Sequence, residues 1–285
     1  MTAVDTEALE VKVKELYRHV AEEPQRPYHF EMGRELADRL GYPADLLDQV
    51  PAEAVESFAG VGYFFGLAAL RPGEHVIDLG SGSGMDAFCA ALQVGPTGGR
   101  VVGVDFTLEQ LGKARRLAGQ LAGQLGLSPG PGTGTGPSPN PGPAIEFVEG
   151  RIENLPVADE SFDCAISNGV INLSPRKQRV FTEAARVLRP GGRLAIADIV
   201  TEQQLTDAIT ADADLWASCI GGAAQQDTYR HMIEAAGLKI LQIRENPYTF
   251  LSSRAVGASA RYGVKSISLL AAKPGTGPGP GPRPR

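Results

Sequence analysis

Cysteine is scarce in this sequence, and long apolar runs are missing. The 285 residues contain three cysteines, an odd number spread widely, which does not make the disulfide framework of a small secreted protein. The longest apolar runs, such as those near Leu70 and Leu269, are far too short to span a bilayer. The first twenty residues mix charges throughout and lack the apolar core of a signal peptide. These absences predict a soluble protein of the reducing cytoplasm, without a membrane partner.

Basic residues do not form a cluster either. Lys and Arg are scattered among Asp and Glu, and the net charge is −6, whereas a nucleic-acid-binding surface usually needs a basic stripe. We therefore predict no nucleic-acid partner; we predict no metal site either, and we expect a small-molecule partner. The length allows one large domain with extensions, and it leaves monomer and dimer both open.

Glycine and proline, by contrast, are abundant, with 35 and 21 residues, and they concentrate in two tracts. The tracts are residues 128–144 and residues 274–285. Sequences of this composition cannot bury apolar surface, so we predict that both tracts are disordered, the first as a loop insertion. An inert linker is the preferred interpretation, and a docking site is the alternative.

The rest of the chain alternates strand-like apolar segments with amphipathic helical ones. Strands are predicted at 75–79, 100–104, 145–149, 162–167, 193–197, 238–244 and 264–272. Helices are predicted at 10–22, 31–41, 85–94, 108–124, 177–188, 203–217 and 225–236. This alternation predicts an α/β fold with a parallel sheet and helices on both faces. The last two strands have no obvious helix between them, which predicts an antiparallel finish at the sheet edge.

A glycine-rich turn follows the first predicted strand. The segment VIDLGSGSGMDAF places Gly80, Gly82 and Gly84 at alternate positions. Glycines let the backbone turn sharply and approach a ligand without interference from a Cβ atom. Twenty-one residues after Gly84, the second strand ends at Asp105, where a carboxylate can accept hydrogen bonds from both hydroxyls of a ribose. Together these features predict a nucleoside site at the carboxyl edge of the sheet.

Met85 distinguishes between two kinds of nucleoside ligand. The dinucleotide fingerprint requires a third glycine five residues after the first, so that a pyrophosphate can lie on the helix, and Met85 occupies that position. The spacing G-x-G-x-G, with Asp78 inside the strand, is instead typical of methyltransferases, whose loop surrounds the amino-acid end of the ligand. A dehydrogenase is further disfavoured because no Tyr-x-x-x-Lys pair is present.

Two later segments supply further candidates. In EGRIENLP, after the third strand, Ile152 can cover an adenine ring and Glu153 can accept from its amino group; a solvated loop acid is the alternative for Glu153. The fourth strand delivers Asn168 at its tip. The candidate cofactor-binding residues are Asp78, Gly80, Ser81, Gly82, Gly84, Asp105, Phe106, Ile152, Glu153 and Asn168.

The run from about residue 56 to residue 236 resembles the arsenite methyltransferase branch of the class I S-adenosylmethionine-dependent methyltransferases. Its marks are VIDLGSGSGMD, VGPTGGRVVGVDFT, EGRIENLP, SNGVINLSPRK, RVLRPGGRLAIADIV and LWASCIGGA. The resemblance implies a Rossmann-like, seven-stranded, mostly parallel methyltransferase sheet with helices on both faces, and S-adenosyl-L-methionine as the cofactor. We expect an N-terminal helical extension at 1–55, the donor-binding domain at 56–200 and a small C-terminal cap on the substrate side at 201–273.

The resemblance also implies thiolate ligands for trivalent arsenic, a soft metalloid. The family pattern places one cysteine after strand four, one in the C-terminal segment and usually one or two near the N-terminus. Here Cys219 holds the C-terminal position, whereas Gly169 stands at the strand-four position and no cysteine precedes Cys89. Cys89 and Cys164 are predicted to be small core residues. For Cys219, a substrate contact and residual packing remain open alternatives.

Methyl transfer from a sulfonium is an in-line displacement, for which the protein aligns the acceptor and excludes water. A soft lone pair needs no general base as acceptor, whereas a hydroxyl or a carbon acid needs one near the methyl group. The candidate bases are His29, Glu31, Tyr63 and Asp198, and the candidate catalytic residues are Cys219, His29 and Tyr63. A surface histidine at a helix start is the alternative for His29. Aromatic residues ahead of the first strand are predicted to help roof the pocket: Tyr28, Phe30, Tyr63, Phe64 and Phe65.

These observations predict an S-adenosylmethionine-dependent methyltransferase that acts on a small-molecule acceptor and is similar to arsenite methyltransferases. A methyltransferase of an organic metabolite is one alternative. A non-catalytic protein that binds the donor or an arsenical is another.

Overall fold

A computed structural model describes residues 5–95, 98–124, 144–212, 215–216, 220–251 and 253–275. The predicted disordered insertion at 128–144 lies outside the described residues except for Ala144, which begins a strand. Of the predicted disordered tail at 274–285, only the first two residues are described.

The described residues form one eight-stranded sheet with the order β3-β2-β1-β4-β5-β8-β7, and β6 pairs with β5 off this path. The strands are β1 His75–Leu79, β2 Arg100–Asp105, β3 Ala144–Glu149, β4 Phe162–Asn168, β5 Leu188–Thr201, β6 Ala224–Gln225, β7 Lys239–Glu245 and β8 Lys265–Ala272. The pairs among β1 to β5 are parallel, and β8 is antiparallel to β5 and β7. The predicted mostly parallel sheet with an antiparallel finish is confirmed. The seven long strands form the continuous path, and the two-residue β6 is an addition to the seven predicted.

Helices cover both faces of the sheet, as the alternating pattern predicts. They are α1 Thr6–Glu22, α2 Gly33–Leu40, α3 Ala44–Leu47, α4 Ala52–Glu56, α5 Phe65–Ala68, α6 Met85–Val94, α7 Leu108–Gln124, α8 Lys177–Val187, α9 Asp207–Thr210, α10 Gln226–Ala235 and α11 Ser253–Tyr262. Successive residues of β1 point to opposite faces. Val76 therefore packs in the core formed with α6, α7 and the N-terminal helices, whereas Ile77 and Leu79 pack in the core formed with α8 and α10. Burial on both faces explains why β1 is apolar at Val76, Ile77 and Leu79 rather than at alternate positions.

Strand β5 begins earlier than the sequence predicts. Residues 189–192, which separate the predicted helix at 177–188 from the predicted strand at 193–197, are part of β5, which starts at Leu188. The ladder between β4 and β5 shifts register between Phe162 and Cys164, which leaves extra residues in β5 between Leu188 and Arg193. One of these, Arg189, is held against β4 because its guanidinium pairs with the Asp163 carboxylate at 2.7 Å. A bulge of this kind keeps the strand continuous through a segment that reads as a turn.

Two helix predictions need correction. Residues 253–262 form α11 between β7 and β8, where no helix was expected. Among the side chains of α11 that the structure describes, Ala255 and Tyr262 are buried. The helix predicted at 203–217 is represented, among the described residues there, by the single turn of α9 and by residues 215–216.

The carboxyl ends of β1 to β4 meet where the strand order reverses, between β1 and β4, and ligands bind at such a point in open α/β sheets. Helix α1 lies over this edge. Its N-terminus is capped by Asp5, whose carboxylate accepts from the backbone of Glu7 and Ala8, and its buried Leu9 and Val13 face the sheet. No helix in the described part of the chain is both long and apolar enough to cross a membrane.

Candidate functional site

The turn after β1 has the backbone conformation that its glycines predict. Gly80, Gly82 and Gly84 have φ angles of 75°, 53° and 95°, in the left-handed region that residues with a Cβ atom rarely adopt. The backbone amides of Gly80 and Ser81 both donate to the Val104 carbonyl of β2, which fixes the turn on the sheet. A Cβ atom on Gly80 would overlap the Val170 side chain. The turn is therefore pressed closely against the loop after β4.

Two adjoining cavities form one crevice along this turn. The larger has a volume of about 330 Å³ and the smaller about 80 Å³. Gly80, Asp105, Phe106 and Val170 line both cavities, so the two spaces are continuous. The larger cavity extends over the loop after β3, and the smaller one follows the glycine turn towards the end of β4.

Asp105 closes the glycine turn from the end of β2. Its Oδ2 accepts from the Gly82 amide at 2.9 Å, and its Oδ1 accepts from the Thr107 amide at 2.8 Å. Burial raises the pKa of this carboxyl, and the two amides oppose that effect. Each carboxylate oxygen has a second lone pair, so Asp105 holds the turn and still presents acceptors to the crevice.

Ile152 and Glu153 line the larger cavity. Glu153 is only 8% exposed, which excludes the solvated loop acid considered for it. Its Oε1 accepts from the Ser174 hydroxyl at 2.6 Å, and its backbone carbonyl accepts from Arg179 Nε at 3.1 Å. Ser174 lies in the loop after β4, and its role in orienting Glu153 was not foreseen from the sequence.

Helix α1 forms the roof of the larger cavity. Glu10 and Val13 line it from above, and Glu10 Oε2 pairs with Arg151 Nη1 at 2.8 Å. The Phe106 ring, on the floor of the crevice, lies 5.1 Å from Lys14 Nζ. The predicted aromatic roof is replaced by this helix: the residues lining the crevice do not include Tyr28, Phe30, Tyr63, Phe64 or Phe65.

A buried polar cluster borders the smaller cavity. Asn168 Nδ2 donates to Asp86 Oδ2 and to the Gly62 carbonyl, each at 3.0 Å, and Asn168 Oδ1 accepts from the Val61 amide at 2.7 Å. The Tyr42 hydroxyl donates to Asp86 Oδ1 at 2.6 Å. Asn168 therefore joins the end of β4 to the segment before α5, and its amide is already engaged. Asp86 was missed from the sequence, although an acid in the first turn of an otherwise apolar helix is a signal for it.

Two polar atoms at the same cavity have no hydrogen-bond partner among the described residues: Asp78 Oδ2 and Ser81 Oγ. Both residues line the smaller cavity and are at least 90% buried. Buried polar atoms are normally paired, so these two point to a polar ligand. Burial, with the charges of Asp86 and Asp105, raises the pKa of Asp78 well above its ordinary value.

With this geometry in view, comparison with known proteins is informative. A family model described as a methyltransferase domain matches residues 70–126 and 142–237, which is more than half of the chain.

The chain belongs to this methyltransferase family.

Three relatives of the methyltransferase are arsenite methyltransferases. The protein of Halobacterium salinarum is 41% identical over 207 residues, which cover 73% of this chain and 48% of the relative. The protein of Aquipseudomonas alcaligenes is 37% identical over 195 residues, covering 67% and 51%, and the human protein is 37% identical over 168 residues, covering 56% and 41%. The methyltransferase is thus arsenite methyltransferase-like, and it spans about half the length of these relatives.

Solved structures agree with this assignment. The crystal structure of an arsenic(III) S-adenosylmethionine methyltransferase from Chlamydomonas reinhardtii matches with a TM-score of 0.60 and 28% identity, over 87% of this chain and 76% of the other. A geranyl diphosphate methyltransferase in complex with sinefungin has the same TM-score at 14% identity, over 93% and 99%, and shows the fold alone.

The cofactor of the methyltransferase is S-adenosyl-L-methionine, and the residues present fit it. The glycine turn leaves no room for Cβ atoms at Gly80 or Gly84. The unpartnered Asp78 and Ser81 atoms offer polar contacts to an amino-acid end, and the larger cavity offers Ile152 and Glu153 to a base.

Of the three catalytic candidates of the methyltransferase, the two that the structure describes, His29 and Tyr63, do not line the crevice. His29 packs edge-on against Phe30 at 4.7 Å, and Tyr63 packs against Tyr42 at 4.9 Å; neither lines either cavity. His29 and Tyr63 therefore each belong to an aromatic cluster, together with aromatic residues that are near them in the sequence or in the fold. Cys219 lies outside the described residues.

The segment after Cys219 packs against the loop that follows β4. A Cβ atom on Gly222 would overlap the Asn172 carbonyl, and Asn172 lies in the 3₁₀ turn Ile171–Leu173. Leu173 of the same turn lines both cavities. The described residues 220–223 therefore lie one layer away from the crevice. The other two cysteines, Cys89 and Cys164, are fully buried, so their prediction as core residues is confirmed.

Proposed function

We propose that the methyltransferase transfers the methyl group of S-adenosyl-L-methionine to a soft lone-pair acceptor, namely a trivalent arsenical held as a thiol complex. The observation that carries the proposal is the crevice itself. Its glycine turn is paired with Asp105, its larger cavity is lined by Ile152 and Glu153, and neither His29 nor Tyr63 lines it.

In this proposal the donor lies along the crevice in one direction. Its adenine occupies the larger cavity, packed by Ile152 and Phe106, with its amino group donating to Glu153. Asp105 accepts from the ribose hydroxyls. The amino-acid end follows the glycine turn and meets the unpartnered atoms of Asp78 and Ser81. Asn168 acts by positioning, because its amide holds the segment at Val61 and Gly62.

The bound donor supplies an activated methyl group, and the residues of the chain align it and exclude water. Helix α1 covers the crevice, with Leu9 and Val13 as its buried apolar contacts. In this proposal the carboxylates of Asp78 and Asp105 contact the donor. The carboxylate of Asp86 is hydrogen-bonded to Asn168 and Tyr42. His29 and Tyr63 do not line the crevice, so neither of these candidate bases is placed to take a proton from an acceptor there. This supports an acceptor that attacks through an existing lone pair.

Gly169 indicates how the arsenical acceptor is coordinated when it binds. Gly169 has a φ angle of 72°, and a Cβ atom there would lie 3.2 Å from the Val61 side chain. A cysteine at this position would be strained, so the backbone here is adapted to the absence of a thiolate. With Cys219 as the remaining family cysteine, we infer that external thiols complete the coordination of the arsenical, or that the substrate is already partly methylated.

The division of the chain follows from these roles. Residues 1–55 would form an extension that covers the donor, residues 56–200 the donor-binding domain, and residues 201–273 a region on the substrate side. Enzymatic turnover is part of the proposal, and it separates this function from that of a protein that only binds the donor.

The test is a turnover assay with isotopically labelled S-adenosylmethionine. Arsenite and methylarsenite are offered separately with excess thiol, to the wild type, to Cys219→Ser and to Cys164→Ala as a control that removes a buried thiol. We expect labelled methylated arsenicals from the wild type and Cys164→Ala, and none from Cys219→Ser. Donor binding without any arsenic product would overturn the arsenical acceptor and leave an organic acceptor to be found. Absence of donor binding would overturn the methyltransferase proposal itself.

A further inference from the structure

The smaller cavity carries charge of one sign only. Three carboxylates line it, those of Asp78, Asp86 and Asp105, and its described lining contains no Lys, Arg or His. The two oxygens of Asp105 accept backbone amides, which partly balance its charge. The negative charge left to face a ligand is therefore that of Asp78 and Asp86.

Neutral groups hold Asp86 in place. The Tyr42 hydroxyl and the Asn168 amide each donate to one of its oxygens, at 2.6 Å and 3.0 Å. Both contacts come from outside α6, the helix that carries Asp86, so the carboxylate is fixed on two sides. Asp78 has no such support at Oδ2, which is buried and unpartnered. No group of the described chain donates a hydrogen bond to this oxygen, so a bound ligand must supply the hydrogen-bond donor.

Burial makes both carboxyls difficult to ionise without a ligand. It raises the pKa of Asp86 to about 6, and the hydrogen bonds from Tyr42 and Asn168 limit the rise. Burial and the nearby charges of Asp86 and Asp105 raise the pKa of Asp78 further. The pair therefore keeps protons at mildly acidic pH when no cation is near.

The other titratable groups around the pair do not supply a cation. Tyr42 faces Asp86 from the segment after α2, Tyr63 from the segment before α5, and Cys89 from α6 itself. The negative charge of Asp86 raises the pKa of each, in addition to burial. All three are thus uncharged at neutral pH, and no described Lys, Arg or His forms an ion pair with Asp78 or Asp86.

Building on the proposed function, we propose that Asp78 and Asp86 form a charge-selective subsite that favours the cationic methyl donor over its neutral product. S-adenosylmethionine carries a sulfonium, an ammonium and a carboxylate, for a net charge of +1. Loss of the methyl group turns the sulfonium into an uncharged thioether, and S-adenosylhomocysteine is neutral overall. In a buried site, two carboxylates interact more strongly with the cation than with the neutral product.

Two consequences follow. Donor binding displaces protons from the pair, because a cation favours the ionised carboxylates. Methyl transfer removes the sulfonium charge and leaves the ammonium, so the pair is balanced less fully and the product is held less firmly than the donor. Asp86 thus acts as a specificity determinant between donor and product.

The test is titration calorimetry with S-adenosylmethionine and with S-adenosylhomocysteine, from about pH 5 to about pH 7, a range in which the amino groups of both ligands stay charged. Two buffers of different ionisation enthalpy count the protons released. For the wild type, we expect the ratio of the two dissociation constants to shift about tenfold towards the donor as the pH rises. We expect more protons to be released with the donor than with the product, because only the donor carries the sulfonium in addition to the ammonium.

Variants identify the residues responsible. Asp86→Asn is expected to lose most of the pH dependence and of the preference for the donor, whereas Asp45→Asn, at an exposed site, is expected to keep both. Tyr42→Phe tests the pair without removing a carboxylate: it deletes a hydrogen bond that lowers the pKa of Asp86, so the pH dependence should move to higher pH.

The outcomes separate the two proposals. A donor preference that does not change with pH, or proton release that survives in Asp86→Asn, would overturn the charge-selective subsite while the methyltransferase function stands. If S-adenosylmethionine does not bind the wild type at all, the donor site of the proposed function fails first. An unchanged pH midpoint in Tyr42→Phe would also contradict the role of Asp86.

Discussion

The hydroxyl of Ser174 donates a hydrogen bond of 2.6 Å to Oε1 of Glu153. The two residues come from different loops, after β4 and after β3, and both are buried. The Ser174 carbonyl accepts in turn from Lys177 Nζ at 2.8 Å, so the serine is itself held in place. This chain of contacts fixes Oε1 of Glu153 at the larger cavity, while Oε2 lies 3.8 Å from Arg151 Nε.

Replacing Ser174 by alanine should therefore weaken donor binding. Without the hydroxyl, the Glu153 carboxylate is free to turn away from the adenine position, and a charged group loses a buried hydrogen bond. We expect the dissociation constant of S-adenosylmethionine to rise about tenfold, measured by calorimetry. Ser161→Ala is the control, since its hydroxyl donates only to the Ala158 and Asp159 carbonyls. Equal affinities in Ser174→Ala and the wild type would show that Glu153 does not need this support.

Local patterns predicted the glycine turn and the position of Asp105 beside it. The spacing of Gly80, Gly82 and Gly84 after a buried strand, with Asp105 at the next strand end, depends on backbone conformation and on parallel pairing. Both are short-range or repetitive features. The structure places Gly80, Gly82 and Asp105 at one crevice, whereas Gly84 packs against Phe88 and Phe147. The strands of the parallel sheet were predicted from short apolar segments, such as residues 101–104 of β2, which are buried throughout.

Long-range packing was not predictable in this way. The roof is α1, and its place over the crevice depends on contacts between residues far apart in sequence, such as Glu10 and Arg151. Asp86 was missed because its partners, Tyr42 and Asn168, are 44 and 82 residues away. His29 and Tyr63 were chosen for their chemistry, and no local pattern shows that each packs in an aromatic cluster instead.

The ion pair between Glu10 and Arg151 should affect how fast the donor leaves. It joins α1 to the loop below the crevice at 2.8 Å, but both side chains are partly exposed, so its contribution to stability is small. We expect Glu10→Gln to speed donor dissociation by about two- to fivefold, measured by stopped-flow fluorescence or displacement. The effect should decrease with added salt. Glu146→Gln removes an ion pair with Arg100 on the sheet and should leave the rate unchanged; a similar change in both variants would contradict a specific role for α1.

Asp78→Asn and Asp163→Asn should change stability in opposite directions. Burial raises the pKa of Asp78 in the folded protein. Ionisation of Asp78 therefore destabilises the fold once the pH exceeds the pKa that this carboxyl has in the unfolded chain. Removing the charge should raise the melting temperature of the donor-free protein by roughly 2 °C or more at neutral pH, with little change near pH 4, and should weaken donor binding.

Asp163 provides the matched comparison. Although burial raises its pKa, the His75 amide and the Arg189 guanidinium lower it further, and the net shift is downward. Its contribution to stability is therefore present above the unfolded pKa and is lost as the pH falls. Asp163→Asn should lower the melting temperature at neutral pH. Shifts of the same sign in the two variants would show that the unpartnered position of Asp78 has no energetic consequence.

Lys177 should make the stability of the protein increase between about pH 8 and pH 10. The ammonium lies 4.6 Å from the Trp216 ring centroid. Burial lowers its pKa to about 8, against the opposing charges of Asp198 and Glu153. Because the folded pKa lies below that of the unfolded chain, the native state has fewer protons in this range, and stability rises with pH.

The measurement is urea denaturation at about pH 7.5 and about pH 9.5, where we expect a gain on the order of 1 kcal/mol from this group. In Lys177→Met that gain should be absent, while Lys113→Met, at a half-buried lysine outside the crevice, should leave the Lys177 contribution intact. If the wild type and Lys177→Met show the same pH dependence over this interval, the lysine is not the group that titrates.

Gly80→Ala and Gly112→Ala compare the same change at two backbone conformations. Gly80 has a φ angle of 75°, and an added Cβ would overlap Val170. Gly112 lies within α7 with nothing within 4 Å of the added atom. Alanine at Gly80 should destabilise the protein by about 1–3 kcal/mol. It should also weaken donor binding at least tenfold, because the overlap with Val170 forces the glycine turn to shift away from its position beside the ligand. At Gly112 it should stabilise the protein by about 0.5–1 kcal/mol and leave affinity unchanged.

The double variant Gly80→Ala with Val170→Ala separates the two causes of the Gly80 effect. It removes the overlap with Val170 but keeps the left-handed backbone, which costs about 1 kcal/mol or more for alanine. We expect partial recovery of stability, measured by thermal denaturation, with donor affinity still reduced because Val170 lines both cavities. Full recovery of stability would mean that contact with Val170 alone requires glycine at this position. No recovery would mean that the backbone conformation alone requires it.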